Sequence, residues 1–437
     1  MKPLLPVVLT LPLVAAEPLS LSLKQAVEMA LAPAGDARVQ MAAQALGQAE
    51  ARSAQARAAL LPDVAASVAE QNQTRNLAAF GIRVQLPIPG FTFPELVGPF
   101  STFDVRATAV QNIFDLAAVR RYQASLTAVQ AARAESESVA EQVAAHVARL
   151  YLAAQRADAA LQTAHANLKL SEALLALAED RKAAGTGTGL DVTRARVQLA
   201  HNRQQLIEAE NARRRAHMQL LRAIGLPLDQ ELVLADELRY RQVEAATLEE
   251  ARAAALKSRP DWAAQNEHEQ AARLSYSATK YERLPSLVGF ADYGSIGNSI
   301  HRALPTRTVG VSLRLPVFDG GRRDARRAES LAQWRQQQTR TRDMRREIEL
   351  AVRLALDDLR AAEEQLKVAA EGLELAENEL VQARRRYEAG VAGSLEVTDA
   401  QTRLERAREN RIAALFAHNL ARLELASAMG VVRSTIQ

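Results

Sequence analysis

The sequence predicts a mainly α-helical protein with a small β part, in which one order of elements occurs twice. Charged residues make up 24% of the chain and aromatic residues only 4%, which is typical of long helices packed on one another. The stretch RKAAGTGTGLDVTRARVQL at 181–199 returns as RYEAGVAGSLEVTDAQTRL at 386–404, with eight of nineteen pairs identical. Two further segments alternate between apolar and polar residues, which indicates β-strands with two different faces.

The first residues have the features of an export signal. Lys2 is a short basic region, residues 4–14 are apolar, and Val14-Ala15-Ala16 is a small-residue cleavage site. We therefore predict a signal peptide over residues 1–16, with a buried N-terminal segment as the alternative. The sequence has no cysteine, so we expect neither disulfides nor a lipid anchor.

The first repeat is predicted over residues 17–225. A helix begins near Leu23 and leads to Pro33, and a second helix ends at Leu61-Pro62. The remaining elements are strands near 63–71 and 103–114, a long helix over about 116–183, a hairpin tip at 184–191 and a return helix.

The second repeat is predicted over residues 247–430, after an inter-repeat linker at 226–246. It has the same order of elements, with strands near 286–293 and 308–318 and a hairpin tip at 389–396. A C-terminal tail covers 431–437.

The alternating segment of the second repeat shows why these strands matter. Val309, Val311, Leu313 and Leu315 lie on one face, and Thr308, Gly310, Ser312 and Arg314 on the other. Such strands in an exported protein suggest a membrane barrel, but bacterial barrels begin at about eight strands. An open edge cannot face lipid. Four strands therefore predict a barrel shared between chains, with eight strands from two chains or twelve from three.

The sequence has none of the common catalytic, metal-binding or cofactor-binding motifs in complete form. The sequence has no G-x-S-x-G, P-loop or H-E-x-x-H motif; His268-Glu269 begins the last of these, but residue 272 is alanine. We expect no enzyme activity, no cofactor and no metal. Basic residues alternate with acidic ones and the net charge is only +4, which argues against a nucleic-acid partner.

Charged residues near the tips and the strand ends are the candidate functional groups. Glu396 and Asp399 are three residues apart and share a helix face. In a symmetric oligomer they would form rings of negative charge that favour cations; complementing the helix dipole is the alternative. Arginines at 120–121, and at 322–323 with 326–327, follow Phe-Asp at strand ends, where contact with outer-membrane lipid is one interpretation and simple solvation the other.

These features together resemble the TolC-like outer-membrane efflux protein family. The resemblance is carried by the signal peptide, the internal repeat, Arg259-Pro260-Asp261, Val317-Phe318-Asp319-Gly320-Gly321 and the two tips. It implies a homotrimer in the outer membrane of a Gram-negative-type bacterium, without a lipid anchor. It further implies a shared twelve-stranded transmembrane β-barrel, a long α-helical coiled-coil tunnel in the periplasm, and two partners, a periplasmic adaptor (membrane fusion protein) and an inner-membrane transporter.

The resemblance also implies roles for residues. Glu396 and Asp399 correspond to the acidic ring at the periplasmic entrance, and Asp191 and Tyr387 to a network that holds the entrance closed. Ala392 stands where an arginine is expected in that network, and Arg386 is the candidate substitute. The tips that contact the adaptor comprise Gly185, Thr188, Gly189, Leu190, Gly390, Gly393, Ser394 and Leu395.

Two other functions fit parts of the sequence. An exported periplasmic coiled-coil adaptor or structural protein would need the long helices but not the alternating strands. A heavy-metal export duct would favour clustered Met, His or Cys, whereas the sequence has six Met, seven scattered His and no Cys. The cargo, and the choice between efflux and type I secretion, stay open.

Overall fold

The computed structural model describes residues 19–81, 94–242 and 247–436, and its chain divides into two compact units. Unit 1 comprises Met1–Ala45, Ala134–Ala263 and Arg342–Gln437, and unit 2 comprises Leu46–Arg133 and Ala264–Thr341. The predicted signal peptide at 1–16 lies outside the described residues, as do residues 243–246 of the predicted linker.

The described elements follow one another in the predicted order, twice. The first set is β1 (Leu19–Leu21), α1 (Leu23–Leu31), α2 (Ala37–Ala58), β2 (Asp63–Asn76), β3 (Leu96–Phe114), α3 (Leu116–Ala183) and α4 (Gly189–Ala223). The second set is β4 (Leu232–Leu234), α5 (Leu248–Ser258), α6 (Pro260–Tyr281), β5 (Ser286–Gly297), β6 (Leu304–Arg314), α7 (Arg322–Glu388), α8 (Ser394–Met429) and α9 (Val432–Ile436). The chain therefore repeats helix, helix, strand, strand, long helix and return helix.

Each repeat begins with the same helix-starting device. Ser22 caps α1 and Thr247 caps α5, and each hydroxyl accepts a hydrogen bond from the backbone N–H three residues later. The side chains of Gln25 and Glu250 accept from the cap backbone in return, which completes a capping box in both places. The duplication thus includes the signals that start the helices.

Unit 2 contains a four-stranded antiparallel sheet in the order β2-β3-β5-β6. Residues in register across an antiparallel sheet lie on the same face. One row crosses the strands through Val64, Ala109, Ala291 and Val309, and the adjacent row through Ala65, Thr108, Asp292 and Thr308. At these two rows, the predicted difference between an apolar and a more polar face is therefore present across all four strands.

The strand bounds differ from the predicted ones mainly at β6. We predicted a strand near 308–318, whereas β6 begins at Leu304 and ends at Arg314. Pro316 has no backbone N–H to donate to a neighbouring strand, so pairing does not continue through it. The other three strands include the predicted segments and extend beyond them.

A two-stranded parallel sheet in unit 1 was not predicted. Leu19 pairs with Leu232 and Leu21 with Leu234, so β4 lies inside the segment 226–246 that we predicted as a linker. Leu21 and Leu232 are buried, and the Tyr151 hydroxyl donates to the Leu21 carbonyl at 2.9 Å. Strands of three residues have too little alternation to be recognised in a sequence.

The core of unit 1 consists largely of alanine and branched aliphatic residues. One cluster surrounds Tyr151, a second surrounds Val352, and a third joins Leu174, Leu380 and Leu404 near the hairpin tips. Small side chains at these contacts allow helices to approach closely. Among the described helices, none is both long enough and apolar enough to span a membrane.

A pair of glycines in β5 tests the sheet packing. A Cβ atom at Gly294 would lie against the Val105 carbonyl oxygen and 2.9 Å from the Arg106 Cα, whereas one at Gly289 would meet the flexible end of the Ile113 side chain. We expect Gly294→Ala to destabilise the sheet by about 1–3 kcal/mol because backbone must move. Gly289→Ala is the matched control, and thermal unfolding followed by circular dichroism is the measurement. Equal losses of stability in both variants would contradict the described packing.

Candidate functional site

The two hairpin tips have the same backbone turn. Gly185 and Gly390 both adopt a left-handed conformation, with φ of 73° and 76°. The Thr186 N–H donates to the Arg181 carbonyl at 2.9 Å, and the Val391 N–H donates to the Arg386 carbonyl at 3.0 Å. These bonds satisfy the last carbonyls of α3 and α7 as a Schellman motif does, and only glycine adopts this φ without strain.

The helices that leave the tips are capped differently. Thr188 and Asp191 form a capping box, in which Asp191 Oδ2 accepts from the Thr188 N–H at 2.9 Å and from its hydroxyl at 2.8 Å. The corresponding cap of α8 is Gly393, which has no side chain and makes no such bond. Glu396, the counterpart of Asp191, instead pairs with Arg386 Nε at 2.9 Å.

Asp191 also contacts the second hairpin. The hydroxyl of Ser394 donates a hydrogen bond to Asp191 Oδ1. Arg194 Nη1 donates to the same hydroxyl at 3.4 Å. The bond from Ser394 is the main reason that the pKa of Asp191 lies below its ordinary value of 3.8. Asp191 therefore connects the first tip to the start of α8.

A second contact between the hairpins involves Arg181 and Tyr387. The Arg181 guanidinium lies 4.3 Å from the centre of the Tyr387 ring, and Tyr387 is only 5% exposed. This is a cation–π arrangement. Within the described ranges, the Tyr387 hydroxyl and Arg181 Nη1 are both buried without a hydrogen bond. Burial raises the pKa of Tyr387, and the charge of Asp191 raises it further, so the phenol stays neutral.

The structure brings together some of the predicted site residues but not all. Asp191, Tyr387 and Ser394 line one small cavity between the hairpins. Arg386, the candidate substitute for the arginine missing at Ala392, pairs with Glu396 and not with Asp191. The arginine beside Tyr387 is Arg181, which occupies the position equivalent to Arg386 in the first repeat. Asp399 is exposed on α8.

A buried polar cluster close to these contacts was missed. Glu405 is 5% exposed and its carboxylate accepts hydrogen bonds from the amides of Asn202 at 2.9 Å, Gln401 at 3.1 Å and Gln198 at 3.2 Å. Asn202 and Gln401 also donate to the Ser171 hydroxyl, each at 2.6 Å. The cluster thus joins α3 and α4 of the first hairpin to α8 of the second.

The sequence held a signal for this cluster. Gln401 and Glu405 follow the buried Val397 at intervals of four, so they continue the stripe of α8 that faces other helices. Polar residues at such positions are expected to be hydrogen-bonded. A count of polar residues on the apolar stripes of the helices would have found them.

No group of His, Cys, Asp or Glu side chains in the described ranges is arranged to hold a metal ion. The site offers a set of polar and cation–π contacts that join two hairpins and that separation of the hairpins would break. It contains hydrogen-bond donors and acceptors but no paired nucleophile and base.

A duplicated set of helical hairpins, a two-faced sheet with open edges and contacts that join the hairpin tips define a class of outer-membrane channel with a helical tunnel. The model of the family described as "Outer membrane efflux protein" matches residues 29–226 and 251–431 of this chain. The chain belongs to the outer membrane efflux protein family and is an outer-membrane channel. The family match favours the predicted exit duct over the alternative of a periplasmic adaptor.

Characterised relatives cover most of the chain. The pyoverdine export outer membrane protein OpmQ of Pseudomonas putida is 27% identical over 339 residues, which are 76% of this chain and 71% of OpmQ. Protein CyaE of Bordetella pertussis is 29% identical over 433 residues, 95% of this chain and 85% of CyaE. The alkaline protease secretion protein AprF of Pseudomonas aeruginosa is 26% identical over 309 residues, 67% of this chain and 62% of AprF.

Solved structures share the fold. The outer membrane protein VceC of Vibrio cholerae has a TM-score of 0.79 at 19% identity, over 93% of this chain and 96% of that one. The MtrE outer membrane channel of Neisseria gonorrhoeae has a TM-score of 0.77 at 19% identity, over 94% of this chain and 89% of that one. These likenesses concern the fold.

The lowered pKa of Asp191 generates a pH prediction. Because its folded-state pKa lies below 3.8, the Ser394 contact is strongest above that pH and is lost as the pH falls through the lowered value. We expect a spin label at Val391→Cys, which is unique because the chain has no cysteine, to become more mobile as the pH falls through that range.

Two variants provide the controls for this measurement. Asp191→Asn should give a mobile label that does not respond to pH in this range. Asp180→Asn, which changes an exposed carboxylate of α3, should keep the wild-type response. A wild-type pH response that persists in Asp191→Asn would assign the effect to another group.

Proposed function

We propose that the chain forms a homotrimeric exit duct for a tripartite efflux or type I secretion system and that the duct is gated at its periplasmic tips. The contacts from Asp191 to Ser394 and from Arg181 to Tyr387 carry this proposal. Both cross from the first hairpin to the second, so they hold the hairpins together in one chain. Conduction is passive, and the change that opens the duct separates the hairpins.

The energies of the two contacts between the hairpins are small enough for a partner to break them. A hydrogen bond to a charged group contributes about 1.5–3 kcal/mol, and less when it is partly exposed. A cation–π contact contributes about 0.5–1 kcal/mol at exposed sites and about 2 kcal/mol when desolvated, and the Tyr387 ring is buried. A partner that binds the open tips better by a few kcal/mol would therefore shift the equilibrium. Stronger contacts would lock the duct, and weaker ones would let it leak.

The second hairpin supplies the proposed acidic entrance, in which its two acidic residues are unequal. Glu396 is compensated by Arg386 at 2.9 Å, whereas Asp399 is exposed one turn further along α8. In a trimer, three copies of Asp399 would present negative charge to the pore, and such rings favour cations. We therefore assign the larger part of the selectivity to Asp399.

The exposed apolar residues at the tips suit an adaptor. Leu190 and Leu395 occupy equivalent positions in the two tips and are 57% and 55% exposed, and Val391 is 71% exposed. Large apolar side chains exposed at matching places are typical of protein-binding surfaces. A periplasmic adaptor that binds both tips would use the repeat as two similar sites, and the inner-membrane transporter would supply the energy.

Contact with lipid phosphate is proposed for part of the arginine clusters in unit 2. Arg121 and Arg326 both pair with Glu282, and Arg323 pairs with Asp319. Arg322 and Arg327 are exposed and remain candidates for head-group contact. Arg120 instead donates to the Gln123 side chain at 2.8 Å and lies over the Tyr281 ring, so the other members of the clusters have partners within the protein.

Neither the tips nor the sheet identifies the substrate that the duct exports. The relatives include a pyoverdine export protein and an alkaline protease secretion protein, so their exported substrates differ in kind. We propose that the transporter paired with the duct selects the cargo.

Ion selectivity tests the assignment of the entrance. We expect Asp399→Asn to lower the cation preference of reconstituted channels and Glu396→Gln to lower it less, because Arg386 already compensates Glu396. Reversal potentials in planar bilayers under a KCl gradient measure this preference. Glu388→Gln is the control, since Glu388 pairs with Arg384 at 2.8 Å on the helix before the tip. An unchanged reversal potential in the double variant of Asp399 and Glu396 would contradict the assignment of these residues to an acidic ring.

Baseline conductance tests the gate. We expect Asp191→Ala to raise the fraction of time that channels are open by about fivefold, because loss of a partly exposed charged hydrogen bond costs about 1 kcal/mol. Tyr387→Phe should leave it unchanged, since the hydroxyl has no hydrogen bond within the described part of the chain. Single-channel recording of both variants provides the comparison. An equal rise in Tyr387→Phe would contradict the role given to the ring and its cation–π contact.

A further inference from the structure

A cavity of about 130 Å³ lies within unit 1, away from the residues of the tips. Helices α3 and α8, the short α9, and the segment 236–241 that follows β4 form its wall. Part of the wall is apolar, with contributions from Leu23, Leu152, Leu423, Val432 and Ile436. Nothing in the proposed conduction mechanism uses this cavity.

The cationic side chains of the wall outnumber the available carboxylates. Arg422 and Arg241 line the cavity, and neither has an ion pair or a hydrogen bond among the described residues. Arg239, by contrast, forms an ion pair, with its Nη2 atom 2.7 Å from Glu237 Oε2. Asp236 Oδ2 accepts from the Leu23 N–H at 2.9 Å and lies 3.0 Å from the hydroxyl oxygen of Tyr151.

The amides of the wall are also occupied. Gln155 donates to the Asp236 carbonyl at 2.7 Å, and Asn419 donates to the Arg239 carbonyl at 3.0 Å. Among the described residues, the cationic groups of the wall that remain free to bind a ligand are therefore the two guanidinium groups and the exposed ammonium group of Lys24. Arginine presents a planar fork of donors that matches carboxylate and phosphate oxygens.

The neighbours of Arg422 do not neutralise it. Burial lowers the pKa of Arg422, and the positive charge of Arg241 lowers it further, although an arginine remains charged. His418 lies one turn earlier on α8, is fully buried, and has a pKa lowered mainly by burial, so it is neutral. Glu363 Oε1 lies 4.0 Å from His418 Nε2, and it makes no ion pair with Arg422.

Two like charges beside an open cavity repel each other, and a bound anion would remove that repulsion. We infer that the cavity binds a small organic anion, with a carboxylate or phosphate group on Arg422 and Arg241 and a short apolar part against Leu152 and Leu423. The volume holds roughly ten water-sized positions, which suits a head group with a few carbon atoms.

The test uses the purified full chain in a non-ionic detergent, with hexyl phosphate as the probe. Isothermal titration calorimetry should detect binding to the wild type, and thermal unfolding should occur at a higher temperature with the probe. Inorganic phosphate should bind more weakly because it lacks the apolar part, and hexanol should not bind because it lacks the charge. Inorganic phosphate or hexanol binding as tightly as hexyl phosphate would overturn the inference.

Variants identify the residues responsible. Arg422→Gln and Arg241→Gln should each weaken hexyl phosphate binding at least about tenfold, since each removes a charge-assisted contact. Arg422→Lys keeps the positive charge, so it distinguishes a loss of binding from a loss of folding. This variant should bind hexyl phosphate with intermediate affinity, because lysine lacks the planar fork of donors of a guanidinium group. Arg403→Gln is the matched control on α8, because Arg403 is already paired with Glu379 at 2.7 Å, and it should bind as the wild type does.

Other outcomes would contradict the site. The absence of binding to the wild type, or equal affinity in Arg422→Gln, would show that the arginines do not hold an anion. If Arg422→Gln dissociated into smaller species while the probe had no effect on the wild type, the arginines would serve contacts between chains. Because binding is measured without a membrane, failure here would leave the channel assignments untouched.

Discussion

Backbone hydrogen bonding at the edges of the sheet is the constraint that governs the protein. In the described ranges, β2 and β6 each pair with a strand on one side only. The row through Val64, Ala109, Ala291 and Val309 is apolar on all four strands. A sheet in lipid cannot leave N–H and C=O groups unpaired. The strands of one chain are therefore an incomplete barrel, and the proposed trimer supplies the missing partners.

The duplication gives the sheet an even number of strands and the chain two tips. The two tips have diverged in sequence, and their contacts differ. Arg181 and Arg386 are equivalent, as are Asp191 and Glu396, yet the first pair contacts the other hairpin and the second pair is internal. The difference begins at the helix cap, where the first tip has Thr188 and the second has Gly393. Thr188 donates hydrogen bonds to Asp191 at the cap. Gly393 has no side chain to bond with Glu396, which pairs with Arg386 instead.

Long, strongly periodic elements were predictable from the sequence, and contacts between elements were not. Helix α3 has the predicted bounds because Asp115 precedes it, where its side chain accepts from the Ala118 N–H, and the duplicated glycine turn follows it. The two faces of the strands followed from alternation alone. Strand β4 was missed because three residues carry no period, and the true partner of Arg386 was missed because it depends on the cap. Asp191 and Tyr387 were selected through the family resemblance, whereas their contacts with Ser394 and Arg181 required coordinates.

The buried carboxylate of Glu405 adds a physical reason for the hairpins to separate. Three amides donate to it, yet no cation within the described residues pairs with it. Hydrogen bonds from neutral amides offset only part of the desolvation cost of burying a carboxyl group. Access of water when the hairpins separate would relieve that cost, whereas the Ser394 and Arg181 contacts would be lost. In the proposed gate, the closed state would then balance favourable contacts at the tip against the burial of a carboxyl group in the interior. Such a balance would keep the two states within a few kcal/mol of each other, and a partner that binds the tips would then decide between them.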